Sequence, residues 1–235
     1  DLEFINSTKF SITRYDQHNN NFSLENRSKF IEFKKISLLL LRNDPTEIYT
    51  LISINVELAS NFAVHGMFEE AFRLHLESIE YINKSSFLDE MGEMTLRIYE
   101  KLLGVLSIYN PSKVMLYATP AFKIIEERNL ENSTIASSIY NQIGSTLMNI
   151  GNLDDALFYT EKTYSILKNK NIPETFNFAF VLLNMNKIYM LRSDFVNAEK
   201  YLGKLKEFIN SNELSGIYLS DYYNRQADFN FFKGN

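Results

Sequence analysis

Apolar residues recur at intervals of three and four along residues 140–167, which predicts two amphipathic helices. The two patterns meet at Gly151-Asn152, a dipeptide that favours a tight turn. Related patterns occur on both sides, so the chain is predicted to be a series of helix pairs. The pairs span about residues 46–83, 88–128, 134–170 and 174–211, and a half repeat follows at 214–235. Residues 1–22 are less regular and rich in Asn. We therefore predict an irregular N-terminal segment or linker at 1–22 and a helical repeat domain at 23–235.

The second helices of the four pairs align on one mostly small residue, which allows two helices to approach closely. It is Ala71, Val114, Ala156 or Ala198, at steps of 43, 42 and 42 residues. In three pairs a turn residue precedes it by five positions: Gly66, Gly151 or Ser193. A repeating unit of two antiparallel helices predicts a helical solenoid. The Val114 copy is the least regular, because it carries Pro111 in a cap-then-proline start and Pro120, where we expect a kink or break.

The unit resembles the tetratricopeptide repeat family. Tyr140, Ile143-Gly144, Leu147 and the turn at 151–156 match its motif best, and the turns at 66–71 and 193–198 match it in part. The resemblance covers roughly residues 46–235. It implies an all-α, right-handed superhelical α-solenoid of antiparallel helix pairs. The period exceeds the 34 residues usual in this family by about eight, and longer repeats of this kind resemble those of bacterial signalling and regulatory proteins.

Composition and charge narrow the range of partners. The chain has no Cys, which excludes disulfides, zinc-thiolate sites and Cys nucleophiles. Its net charge is −5 without a basic stripe, which argues against direct binding of nucleic acid. The longest purely apolar run, residues 178–183, is far shorter than the roughly 20 residues that span a bilayer, so we predict no membrane insertion by this segment. The compartment stays open: the cytoplasm is preferred, and an exported sensor segment is the alternative.

The sequence offers little catalytic chemistry. Among its three histidines, His65 and His75 flank one turn without a third metal ligand, and His18 lies in the Asn-rich segment, so all three are interpreted as surface or groove residues. The acidic pairs at 69–70 and 154–155 lie in the first turn of a helix, where the helix dipole favours anions. No phosphate-binding loop, GxSxG or HExxH motif occurs. We predict no catalytic site, no metal and no cofactor, and thus no enzyme.

The resemblance implies that the first helix of each pair lines a concave groove. Mapped onto this chain, the candidate binding residues are Arg97, Tyr99, Asn141, Ser145, Asn149, Asn184, Lys187, Asn224 and Arg225. Asn both donates and accepts, so a row of Asn suits an extended peptide backbone, and Arg97, Lys187 or Arg225 would hold a carboxylate. The family's carboxylate clamp is not reproduced, because Val56 and Ser60 occupy the matching positions. The alternative is that the row only reflects a chain rich in Asn.

Two functional hypotheses follow. The first is a non-catalytic protein- or peptide-binding domain, the sensory or scaffolding part of a larger bacterial signalling or transcription-regulatory protein. The second is a self-association module that regulates an attached catalytic domain, in which Phe229, Phe231 and Phe232 pair two chains into a homodimer. Residues 231–235 resemble the turn of a further repeat. We therefore expect a piece of a longer protein, and a natural end after one last helix is the alternative.

Overall fold

A computed structural model describes residues 48–84, 92–168 and 175–234, together with the single residue Glu32. All regular structure in these ranges is helical. The helices are α1 (Ile48–Val64), α2 (Phe68–Lys84), α3 (Gly92–Tyr109), α4 (Val114–Glu127), α5 (Thr134–Asn149), α6 (Leu153–Lys168), α7 (Thr175–Leu191), α8 (Phe195–Ser211) and α9 (Ile217–Lys233), with a 3-10 turn at Pro111–Lys113. The predicted N-terminal segment, residues 1–22 with His18, lies outside the described residues.

The chain divides into two compact units, Asp1–Tyr109 and Asn110–Asn235. In the first, α1 and α2 form a hairpin and α3 packs on α2. In the second, α5–α6 and α7–α8 are hairpins, α6 packs on α7, and α9 packs on both α7 and α8. The prediction of an all-α, solenoid-like fold of packed helix pairs is confirmed. The boundary after Tyr109 lies inside the pair predicted at 88–128, and the sequence does not predict it.

Three hairpins turn with one backbone geometry. The turn residues have left-handed backbones: Gly66, Gly151 and Ser193, with φ of 76°, 84° and 59°. In each turn the N–H of the following residue donates to the carbonyl five residues earlier, at 2.8–2.9 Å. This Schellman-type closure ends the first helix and satisfies one of its last carbonyls. The second helix begins two residues after the turn residue in all three cases.

The helices of each hairpin approach closely at the predicted small residues, and Ala71, Ala156 and Ala198 are completely buried. Gly144 on α5 lies against α6, where an added Cβ would be 2.6 Å from Oγ1 of Thr160 and 3.2 Å from the carbonyl oxygen of Ala156. In the next hairpin the residue 42 positions later is Asn186, whose Nδ2 donates to the carbonyl of Ala198 at 2.7 Å. In the α5–α6 hairpin the helices thus pack closely because Gly144 has no side chain. In the α7–α8 hairpin the buried amide of Asn186 bonds to the facing helix at the equivalent position.

The structure corrects two expectations for the irregular pair. We expected a kink or a break at Pro120, and the break does not occur, because helix α4 is continuous through this residue. Pro120 and Leu116, whose carbonyl loses its usual partner, are both exposed, so the missing bond faces water. The predicted cap at Asn110 does not bond to the backbone. Its Oδ1 instead accepts from Oγ of Ser112 at 2.8 Å, and α4 begins only after the 3-10 turn.

Candidate functional site

The two hairpins of the second unit bring together two of the predicted asparagines. Helices α5 and α7 are in contact, and Nδ2 of Asn184 on α7 donates to Oδ1 of Asn141 on α5 at 3.3 Å. Both side chains are half-buried. Helix α5 has no charged residue, and the only one on α7 is Lys187. The amide pair therefore lies on a polar but weakly charged surface.

Each carboxamide uses only one of its two polar ends in this pair. Nδ2 of Asn141 and Oδ1 of Asn184 have no protein partner among the described residues. Exchanging the oxygen and nitrogen of both amides leaves the same result, one donor and one acceptor. A donor beside an acceptor matches the carbonyl and N–H of a peptide unit in an extended chain.

One helical turn further on, each helix adds one polar side chain. Ser145 follows Asn141 on α5, and Lys187 follows Asn184 on α7; both are half-buried. Within the part of the chain that the structure describes, neither side chain has a hydrogen bond or an ion pair. We call these four residues the polar face. It combines amides for a main chain, a hydroxyl and one cation.

The predicted residues of the first unit do not contribute to such a face. Arg97 is exposed, and its Nη2 lies 2.9 Å from Oε1 of Glu93 on the same helix. Tyr99 was expected in a groove but is only 6% exposed, and burial raises the pKa of its hydroxyl. Tyr99 is buried together with most of the large apolar side chains of α3, including Leu102 and Leu103. Tyr99 is thus a core residue.

The remaining predicted residues do not extend the asparagine pair into a continuous row. Asn149 at the end of α5 and Asn224 on α9 are exposed. Arg225 is largely buried, and its Nη1 pairs with Oδ2 of Asp228 at 3.2 Å. Its Nε is buried without a partner in the described residues, and burial lowers the pKa of the guanidinium. The guanidinium of Arg225, which was expected to bind a ligand carboxylate, is therefore already paired with Asp228.

Two buried polar residues in the first unit were not predicted. His75 on α2, interpreted as a surface or groove residue, is 1% exposed, as is Asn55 on α1. Both amide atoms of Asn55 and Nδ1 of His75 lack partners within the described ranges. Burial, and to a lesser extent the charge of Lys101, lowers the pKa of His75 to about 4. The burial of His75 could have been predicted from its position in the repeat. His75 follows Ala71 by four residues, just as the buried Thr160 follows Ala156.

The other histidine at this turn, His65, is exposed, and its Nδ1 lies 2.8 Å from the carbonyl of Asn61. Residues 48–84, 92–168 and 175–234 contain no group of three or more His, Cys, Asp or Glu side chains placed to hold a metal ion.

None of the helices in these ranges is long and apolar enough to cross a membrane.

Comparison with known proteins shows the fold alone. No protein-family model matches the chain, and no curated protein matches it. Among solved structures, the crystal structure of BtubC (BKLC) from P. vanneervenii is similar, with a TM-score of 0.65 and 17% sequence identity over 82% of this chain and 78% of that one. At this identity the similarity supports the helical architecture and assigns neither a partner nor an activity.

Proposed function

We propose that this chain is a non-catalytic, protein- or peptide-binding helical repeat domain of the tetratricopeptide type. It would form the sensory or scaffolding part of a larger bacterial signalling or transcription-regulatory protein. The observation that supports binding most directly is the pair Asn141–Asn184, which joins two first helices and leaves one donor and one acceptor for a ligand.

The chemistry of the polar face favours an extended peptide. Amides that bind a main chain do so whatever the side chains of the ligand, so the pair gives affinity without sequence preference. Lys187 would then supply preference, because it has no acidic partner among the described residues. A partly buried cation beside neutral amides favours an acidic side chain or a carboxylate.

The test is selection from a displayed library of random peptides, followed by calorimetry on the selected peptides. Asn141→Ala and Asn184→Ala should each weaken binding about tenfold, because each removes a hydrogen bond and disturbs the other amide. Lys187→Met should weaken the binding of acidic peptides and reduce its dependence on salt. The matched control is Asn210→Ala on the exposed surface of α8, which should bind like the unmodified chain.

The proposal fails in either of two ways. Either the library yields no peptide that binds in solution, or the selected peptides bind equally well to both asparagine variants. The second outcome would place the binding surface elsewhere on the molecule.

A further inference from the structure

The α1–α2 hairpin of the first unit encloses two polar side chains in its interior. His75 on α2 and Asn55 on α1 are both almost completely buried, and the two helices pack against each other. Nδ1 of His75 and both amide atoms of Asn55 have no hydrogen-bond partner within the described residues. Buried polar groups without partners are rare, because they lose their water and gain nothing in its place. The closed hairpin thus keeps three polar atoms from water without compensation.

The other hairpins have no titratable residue at the position of His75. The corresponding residues, nine positions after the turn residue, are Thr160 and Leu202. Thr160 is buried and its Oγ1 donates to the carbonyl of Ala156 at 2.7 Å, and Leu202 belongs to the apolar core. Residues 110–235 contain no histidine at all. A buried group that gains a proton in mildly acidic solution is therefore a feature of the first unit.

The charges around α2 do not favour a proton on His75. The charged residues of the two helices that pack on α2 are Glu57 on α1 and Glu93, Arg97, Glu100 and Lys101 on α3. Those of α2 itself are Glu69, Glu70, Arg73, Glu77, Glu80 and Lys84. Burial, followed by the positive charge of Lys101, lowers the pKa of His75 to about 4. In the described part of the chain no carboxylate pairs with His75, so a proton would leave an uncompensated charge in the core.

We propose that the α1–α2 hairpin is an acid-sensitive element of the first unit, which opens when His75 takes up a proton while the hairpins of the second unit stay closed. An unpaired buried charge is far more costly than a buried neutral group. Opening of the hairpin brings water to the imidazolium and to the amide of Asn55 at the same time. The polar face lies in the second unit, so the response to acid and the proposed binding surface are in different units.

The direction of the response follows from proton linkage. The open hairpin binds a proton on His75 with the ordinary pKa of about 6.5 and the closed hairpin only with a pKa of about 4, so a falling pH favours the open form. Between pH 7 and pH 5 the equilibrium constant for opening should rise about 20-fold. In the second unit, hydrogen bonds with Asn197 hold the pKa of Asp194 below its ordinary 3.8. The stabilisation by Asp194 is therefore lost only at a pH below this range.

Amide hydrogen exchange of the whole chain, followed by NMR at pH 7 and pH 5 and corrected for the intrinsic exchange rate, tests the proposal. Amides of buried α2 residues such as Leu74 and Ile82 should lose about 20-fold in protection, whereas amides of α5–α8 should keep theirs. His75→Leu introduces the residue that the α7–α8 hairpin has at this position, and α2 should then stay protected at both pH values. His65→Leu is the matched control: it removes an exposed histidine at the same turn and should behave like the unmodified chain.

Lys101→Met provides a second variant if His75→Leu does not fold. It removes the charge that opposes protonation, so the pKa of His75 should rise and α2 should lose less protection at pH 5. The proposal is overturned if α2 of the unmodified chain is equally protected at pH 7 and pH 5, or if α5–α8 lose as much protection as α2. It is also overturned if His75→Leu, or Lys101→Met in its place, loses as much protection as the unmodified chain.

Discussion

Replacing Gly144 by Ala tests the close contact between α5 and α6. In most helix interiors this change stabilises a protein, because Ala is about 1 kcal/mol more favourable than Gly. Here the new Cβ would lie 2.6 Å from Oγ1 of Thr160 and 3.2 Å from two backbone atoms of α6. We therefore expect Gly144→Ala to lower the free energy of unfolding.

The size of this destabilisation depends on which atoms around Gly144 can move away from the new Cβ. The hydroxyl of Thr160 is fixed by its own hydrogen bond to the carbonyl of Ala156 at 2.7 Å, and the side chain is short and completely buried. The helices must separate, and overpacking of this kind costs about 1–3 kcal/mol. After subtracting the gain in helix propensity, we expect a net loss of up to about 2 kcal/mol.

Urea unfolding followed by circular dichroism measures this loss. Gly203→Ala on α8 is the matched control, because nothing lies within 4 Å of its added Cβ; it should stabilise the chain by about 0.5–1 kcal/mol. In a double-mutant cycle with Thr160→Ala, the two changes should couple by about 1 kcal/mol, since the shortest contact is then absent. Equal stability of Gly144→Ala and Gly203→Ala would refute the close contact.

Three further predictions concern buried polar groups and turns. The pKa of His75 is about 4 in the folded chain and about 6.5 in the unfolded chain, so the free energy of unfolding should be full above pH 6.5 and fall by about 3 kcal/mol as the pH drops towards 4. Urea unfolding at several pH values should show that His75→Leu loses most of this pH dependence. An unchanged pH profile in that variant would contradict the assignment. Asn55→Leu removes two buried atoms without partners and should raise the urea midpoint by an amount equivalent to about 1 kcal/mol or more; a lower midpoint would mean that the amide is bonded. Ser193→Gly should stabilise the chain and Gly151→Ala should destabilise it, by about 1 kcal/mol each, because both residues have a positive φ. Thermal unfolding measures both changes. A melting temperature that shifts in the same direction for both variants would count against the turn geometry.

The sequence predicts the hairpins well because their signals are local. The Gly or Ser at each turn and the Ala five residues later determine where a helix ends and how closely the next one packs, and both features are visible within a few residues. Residue type misleads at His75, whose position in the repeat matches that of the buried Thr160. At Tyr99 the repeat register itself misleads, because the residue one period later, Asn141, is half-buried whereas Tyr99 lies in the core.

The boundary between the two units could not be predicted in the same way. Hydrophobic periodicity shows that a helix has an apolar side but not which neighbour covers it. Helix α3 packs on α2, whereas α4 packs on α5, so the pair predicted at 88–128 is divided. The candidate site shows the same limit: Asn141 and Asn184 were predicted to share a face and do so, while the pairing of Arg225 with Asp228 was overlooked although the two residues are three positions apart.

The common turn geometry has a consequence for how such a protein can change its length. The turns at Gly66, Gly151 and Ser193 have the same backbone closure, and Ala156 and Ala198, one period apart, are both completely buried. Tandem duplication of one 42-residue segment would therefore insert a complete hairpin without new core chemistry. Each inserted hairpin adds one more first helix beside α5 and α7, so evolution can lengthen the surface formed by the first helices in discrete steps while the existing helix contacts are kept.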